Sequence, residues 1–203
     1  MKLAILSNFG PYPLYGGSTG GSEIVIQQIS ERLIKDYSYI VDVYAYNYKK
    51  HSIHNNINLF PCFKGDKFIN QISNKYDHIF CYSDSFWGYE DLVRSIDKLG
   101  CKLTVVLVGA YYTISHPDIL KVLKENIHKF NLITHSSITL DYQFCIDNNL
   151  PVSVISNGIC QKEFNSNSIN FREKYNIKSQ YIILNISSFF YGKNQIILPA
   201  GRH

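Results

Sequence analysis

Hydrophobic residues fall along this chain in two alternating textures, short continuous runs and longer stretches in which they recur with helical spacing. The first run, residues 3–7, is stopped by Asn8, Phe9, Gly10 and Pro11, and reads as a parallel strand buried on both faces. A glycine-rich stretch follows, from Tyr15 through Gly16, Gly17, Ser18, Thr19, Gly20 and Gly21. Behind it Val25, Ile29 and Leu33 recur at four-residue spacing, with Glu31 and Lys35 placed to pair on the outer face. This is an amphipathic helix entered through a flexible loop. Further strands are expected at 39–46, 58–60, 78–82, 102–108, 131–134 and 152–155, and helices near 67–73, 86–98, 117–129 and 139–148, the second of these ended by Gly100. Residues 51–56, rich in His and Asn, read as a polar loop.

Strands separated by helices predict right-handed crossovers and an α/β architecture: a Rossmann-like, doubly wound, mainly parallel sheet. Ligands on such sheets bind at the carboxyl ends of the strands, so the glycine-rich loop and the segment after Val108 fall on the working edge. After Asn157-Gly158 the texture changes. Residues 161–180 are polar, with a short charged helix at 171–175, and read as a linker. Residues 181–186 are a fresh buried strand, and a lone strand cannot make a domain. The expected organisation is one domain over 1–158, an interdomain linker over 159–180, and the first strand and loop of a truncated second domain over 181–203.

Composition narrows the function classes. At 45% hydrophobic and 18% charged, the 203 residues make an ordinary globular protein rather than a disordered one. The net charge of +4 comes without a Lys/Arg stripe interleaved with aromatics, so no nucleic-acid partner is expected. Cys62, Cys81, Cys101, Cys145 and Cys160 form no C-x-x-C pair and read as reduced, structural thiols. No His/Asp/Glu cluster has ligand spacing, so no metal is expected. The opening apolar run is too short for a signal peptide, and no stretch approaches the ~20 apolar residues of a membrane span. The expectation is a soluble, cytoplasmic protein. Lys121, Lys124 and Lys129 on one helix suit a peripheral membrane contact, but a solvated helix face is the commoner meaning of such a pattern.

Three segments carry a resemblance. Met1-Lys2-Leu3-Ala4-Ile5-Leu6 with Gly20-Gly21-Ser22-Glu23-Ile24-Val25 resembles the opening strand, loop and first helix of the retaining GT-B glycosyltransferases of "glycosyl transferases group 1". Val154-Ile155-Ser156-Asn157-Gly158-Ile159 followed by Phe164 is similar to that family's "V-I-P-N-G-I-D…F" segment, which leads from acceptor domain to donor domain. Residues 181–186 with Gly192-Lys193-Asn194 resemble the donor domain's first strand and its lysine loop. The resemblance implies a hexosyltransferase that moves a sugar from a nucleotide-diphosphate donor to a glycan, lipid or protein acceptor. It implies no cofactor beyond the donor substrate, and reaction in the cleft between the domains. This chain would supply the acceptor side, incomplete for catalysis alone, with a separate donor-domain chain as a possible partner.

In that reading Gly20 and Gly21 close on the donor phosphate, where a Cβ would keep the backbone from the anion. Lys193 supplies positive charge to the leaving diphosphate, and Asn157-Gly158 forms a hinge. Tyr111 and Tyr112 are candidates to stack on an acceptor sugar. The family's usual His after the central strand is absent, leaving His116 and His135 as catalytic candidates; Cys160 and Ser188 replace the usual Asp and Arg. Two other readings compete. An NAD-dependent dehydrogenase needs G-x-G-x-x-G directly after the first strand and an acidic residue ending the second, and neither is present. A stand-alone domain binding a glycan or a partner, without catalysis, remains the alternative.

Overall fold

In the computed structural model, residues 1–7, 10, 21–46, 48–82, 88–108, 116–156, 158 and 171–178 are described. The chain divides into two compact units, 1–158 and 159–203. The first unit carries strands β1 (Lys2–Ser7), β2 (Ile40–Ala45), β3 (Ser52–His54), β4 (Ile57–Pro61), β5 (His78–Tyr82), β6 (Lys102–Leu107), β7 (Phe130–Thr134) and β8 (Val152–Val154). They form one open sheet in the order β3-β4-β2-β1-β5-β6-β7-β8. Every neighbouring pair is parallel except β3–β4. The helices of this unit are α1 (Gly21–Tyr37), α2 (Asp66–Ile72), α3 (Tyr89–Arg94), α4 (Ile96–Leu99), α5 (Pro117–Glu125) and α6 (Leu140–Asp147). The second unit's described part holds α7 (Phe171–Lys174); the strand expected at 181–186 lies outside the described residues.

Why the strand runs read so plainly is visible in the packing. Ala4 and Leu6 of β1 face one apolar layer, shared with Phe68, Leu92, Ile96, Ile119 and Cys145 from α2 to α6. Ile5, between them, faces the other layer, where Ile26 of α1 meets Val41, Val43 and Leu59. A strand covered on both sides has no polar position to alternate with. Each such buried aliphatic side chain is worth about 1.5–3 kcal/mol over its exposed state. No helix among the described residues is long and apolar enough to cross a membrane.

Three expectations need correction. Residues 51–56 are not a loop: Ser52–His54 is a strand, joined to β4 by Asn55 and Asn56, both at positive φ (48° and 63°). Two adjacent left-handed residues make the tight hairpin turn that asparagine favours, and Asn55 Nδ2 donates to Glu31 Oε1 of α1 at 3.1 Å. The helix expected over 86–98 is two helices broken at Ser95 (φ −104°, ψ 17°), and residues 86 and 87 lie outside the described residues. It does end at Gly100, whose φ of 73° is left-handed and where a Cβ would run into the Asn74 side chain. The helix expected over 117–129 stops at Glu125; Asn126 breaks it and a 3₁₀ turn, Ile127–Lys129, leads into β7.

The amino ends of the central strands are tied by one buried carboxylate. Asp42 of β2 is 2% exposed. Its Oδ1 accepts from Asn58 Nδ2 on β4 at 2.7 Å, and its Oδ2 accepts from Tyr76 Oη at 2.7 Å. Lys2 Nζ of β1 lies 3.4 Å from the same Oδ2 and 4.9 Å from the Tyr76 ring centroid. Because Tyr76 spends its only hydrogen on Asp42, the Tyr44 hydroxyl, 2.5 Å away, is the donor to Tyr76. Burial, then the neighbouring hydroxyl and carboxylate, push the Tyr76 phenol far above its usual range. A buried carboxylate with every oxygen engaged is tolerated, and the loss of one partner is not. We predict that Asp42→Ala costs about 3 kcal/mol in urea unfolding, and Tyr76→Phe about 1 kcal/mol.

Nearby, His78 Nε2 lies 2.7 Å from Thr104 Oγ1. Burial first, and then Lys102, hold its pKa below the ordinary histidine value. A depressed folded-state pKa means that the unfolded chain binds the proton more readily. Stability should therefore fall as pH drops below about 6.5, the unfolded histidine value, and level off below the folded one. Urea titrations between neutral pH and pH ~5 check this; His78→Gln should flatten the slope in that window.

Candidate functional site

The order of the strands marks one place where neighbouring loops part. From β1 the chain moves outward to β2 and β4, and then returns to β5 on the other side of β1 and continues to β8. The helices that follow β1 and β5, α1 and α3, accordingly pack in opposite apolar layers, Ile26 in one and Leu92 in the other, and in open parallel sheets ligands bind at such a switch. Between β1 and α1 come the breaker that contains Gly10 and then the glycine-rich segment that ends at Gly21, and of these only Gly10 and Gly21 are described residues.

Gly10 is buried against Tyr48, itself 3% exposed; a Cβ at Gly10 would fall inside the Tyr48 ring. Tyr48 N donates to Ala45 O at 3.4 Å, at the carboxyl end of β2. The root of the glycine-rich segment is thus held by direct contact with the neighbouring strand's loop, which requires glycine for space. At the other end of that segment, α1 begins at Gly21. Its free N–H groups and dipole favour an anion. Glu23, 9% exposed, already places a carboxylate in this first turn.

His135 follows β7 at the same carboxyl edge. Its Nδ1 is 2.9 Å from the Ile155 carbonyl oxygen. A carbonyl only accepts, so Nδ1 carries the hydrogen, and Nε2 of the neutral ring is left as the acceptor. The His135 ring centroid is 6.5 Å from that of Tyr82, the last residue of β5. His116 has a different station: it is the N-cap of α5, its carbonyl accepting from Leu120 N at 3.0 Å, with no capping bond from its side chain. The two histidines thus stand on separate elements, one at the start of α5 and the other just after β7. Gly158 is exposed, with open space where a Cβ would be built. Gly20, Tyr111, Tyr112, Asn157, Cys160 and Lys193 lie outside the described residues.

Cys62 and Cys145 are poor nucleophiles. Cys62, just after β4, donates to the Phe63 carbonyl at 3.3 Å, and burial pushes it up to about 12 despite the nearby Tyr46 hydroxyl, which acts to lower it. Burial, with Asp141 nearby, raises Cys145 to about 11. None of Cys62, Cys81, Cys101 and Cys145 is in a disulfide. Among the described residues no group of three or more His, Cys, Asp or Glu is placed to hold a metal ion.

Two features of this edge escape a reading of the sequence. Gly10 looks there like part of a simple breaker, and Tyr82 like the end of a buried strand; their contacts with Tyr48 and His135 arise only once parallel strands are set side by side. The fold and edge together define the class: an α/β protein with an open, mostly parallel sheet of the Rossmann-like kind. Compared with protein-family models and with curated proteins, the chain matches none.

The Gly10 contact makes a direct prediction. Gly10→Ala must displace Tyr48 and should lower stability by about 1–3 kcal/mol, whereas Gly158→Ala should change it by less than about 0.5 kcal/mol. Paired thermal melts of the two variants check the contrast.

Proposed function

We propose that this chain is the acceptor-side domain of a cytoplasmic GT-B glycosyltransferase, which moves a hexosyl group from a nucleotide-diphosphate donor to a glycan, lipid or protein acceptor. The observation that carries the reading is the strand order, which reverses between β1 and β5 while α1 starts at Gly21 behind a glycine-rich segment on the carboxyl edge. It is supported by the sequence resemblance along the same segments.

In this reading the backbone at Gly20 and Gly21 meets a donor phosphate at the positive end of α1. Glu23 shares that helix end, so the bound diphosphate needs a further cation, the part given to Lys193. His135, its tautomer set by the Ile155 carbonyl, offers Nε2 to an acceptor hydroxyl. Tyr111 and Tyr112 stack on the acceptor sugar, and Asn157-Gly158 allows the lobes to close. The sugar nucleotide is a substrate, and no resident cofactor is called for.

The test has two arms. Saturation-transfer NMR of the chain should show contact with oligosaccharides, with UDP-glucose, GDP-mannose and NAD as counter-ligands. Micromolar retention of NAD would replace the reading with a dehydrogenase, and tight binding of a sugar nucleotide would move the donor site onto this chain. The natively produced protein, given a radiolabelled sugar nucleotide and a glycan, should yield labelled glycan. Glycan binding without transfer would leave a binding module in place of the enzyme.

A further inference from the structure

The chain's net charge is not spread evenly. Residues 46–67 hold four lysines, two histidines and a single acid, Asp66, so this stretch carries +3 of the chain's +4. The sheet gathers these lysines at one corner. Cys62 N donates to Ala45 O at 3.0 Å, so the segments leaving β2 and β4 start side by side. The antiparallel β3–β4 pairing then returns the chain so that His51 stacks on Phe60, with ring centroids 4.4 Å apart. Lys49 and Lys50, immediately before His51, thus lie at the carboxyl end of β4, next to the segment that bears Lys64 and Lys67. Asp66, the one acid, is turned to Lys98, 3.7 Å away. Lys49 and Lys50 are exposed and have no ion-pair partner among the described residues. Phe63, 37% exposed, sits among them with Lys67 Nζ 4.2 Å from its ring centroid.

The lysines elsewhere behave differently. On α5, Lys121 pairs with Glu125 at 3.9 Å and Lys124 donates to Asn148 at 3.5 Å, while Lys129 of the following turn pairs with Asp97. Lys121 and Lys129 are thus balanced by acids where they stand. Lys49 and Lys50 are not, among the described residues, and their corner lies on the same edge of the sheet as the switch between β1 and β5.

From this placement we infer that Lys49, Lys50, Lys64 and Lys67, with Phe63, bind the anionic substituents of an acidic saccharide, so that the acceptor is a glycan bearing carboxylate or phosphate groups. The inference rests on the glycosyltransferase reading for the word acceptor, and on the structure for the site. Clustered ammonium groups raise the local concentration of an anion and weaken with salt. An apolar ring among them suits the C–H face of a sugar, which inorganic phosphate lacks.

Biolayer interferometry of the full chain on immobilised polygalacturonate, phosphomannan and neutral dextran tests it, with an oligothymidylate as a non-saccharide polyanion. The expected result is salt-sensitive binding to one or both acidic glycans and none to dextran. The pairs Lys49→Glu/Lys50→Glu and Lys64→Glu/Lys67→Glu should each weaken binding at least about tenfold, and Lys121→Glu/Lys124→Glu, an equal charge change, by less than about threefold. Equal losses in all three variants, equal binding of dextran, or tighter binding of the oligothymidylate would each overturn the inference. Sugar transfer to a neutral oligosaccharide, untouched by Lys49→Glu/Lys50→Glu, would sink this inference while the enzyme reading stood. Retained glycan binding without transfer from any sugar nucleotide would sink the enzyme reading alone.

Discussion

A carboxylate placed in the second strand of a parallel sheet has to be answered from several directions at once, and in this protein the answer organises the amino edge. Asp42 takes hydrogen bonds from β4 through Asn58 and from the turn before β5 through Tyr76, and it faces the Lys2 ammonium from β1. The adjacent Asp77 closes the arrangement, since its Oδ2 accepts from Lys2 N at 2.6 Å and its own N donates to Lys2 O at 2.9 Å. Three strands and a turn are held in one register by groups that cannot be shifted by a residue without stranding a buried charge. Once that register is set, the carboxyl ends of β1, β2, β4 and β5 have fixed neighbours. The contact between Gly10 and Tyr48 and the convergence of the lysine-bearing loops both follow from it.

The two edges of the sheet are therefore built on opposite electrostatic terms. At the amino edge a buried carboxylate, Asp42, is matched by Lys2, Asn58 and Tyr76, which favours a single rigid arrangement over an open one. At the carboxyl edge beyond β2 and β4 the charges are exposed and, Asp66 apart, positive, which contributes little to folding and much to the field that a ligand meets. α5 shows a third arrangement, lysines at the surface with acids or amides beside them, each such pair worth at most about 1 kcal/mol. The contrast bears on the partner: the positive face of this unit is the corner of the sheet, not the α5 helix.

How much of this could be read from the residues depended on whether the signal was local. Strands such as 3–7 and 78–82 stood out because burial on both faces leaves continuous apolar runs, and the observed β1 and β5 match them to within a residue. The strand at Ser52–His54 was hidden, because an edge strand of Ser, Ile and His has no apolar pattern and is defined by the Asn55–Asn56 turn and its partner. Ser95 and Asn126, which break the two long helices that periodicity suggests, are ordinary polar residues whose backbone angles are set by packing. Asp42 sat unnoticed between two valines, since nothing in Val-Asp-Val announces Asn58 and Tyr76 as its partners. The basic corner went unseen for a related reason: no single stretch is a lysine run, and only the return of β3 along β4 joins the two halves.

The same distinction separates what the glycosyltransferase reading asks of each residue. Gly20, Tyr111, Tyr112 and Lys193 enter it through sequence resemblance, whereas Gly21, His135 and the lysine corner have stations on the sheet. Glu23 sharpens the difference. A nearly buried carboxylate in the first turn of α1 already draws on the positive end of the helix dipole, so a diphosphate there meets less free potential than an uncharged first turn would offer. The unbalanced positive charge lies one strand further out, beyond β2 and β4. A domain with an acid at the helix end and exposed lysines at the outer corner is better arranged to hold an anionic acceptor than to hold the whole of an anionic donor. That is the division of labour that the proposed acceptor-side reading asks for.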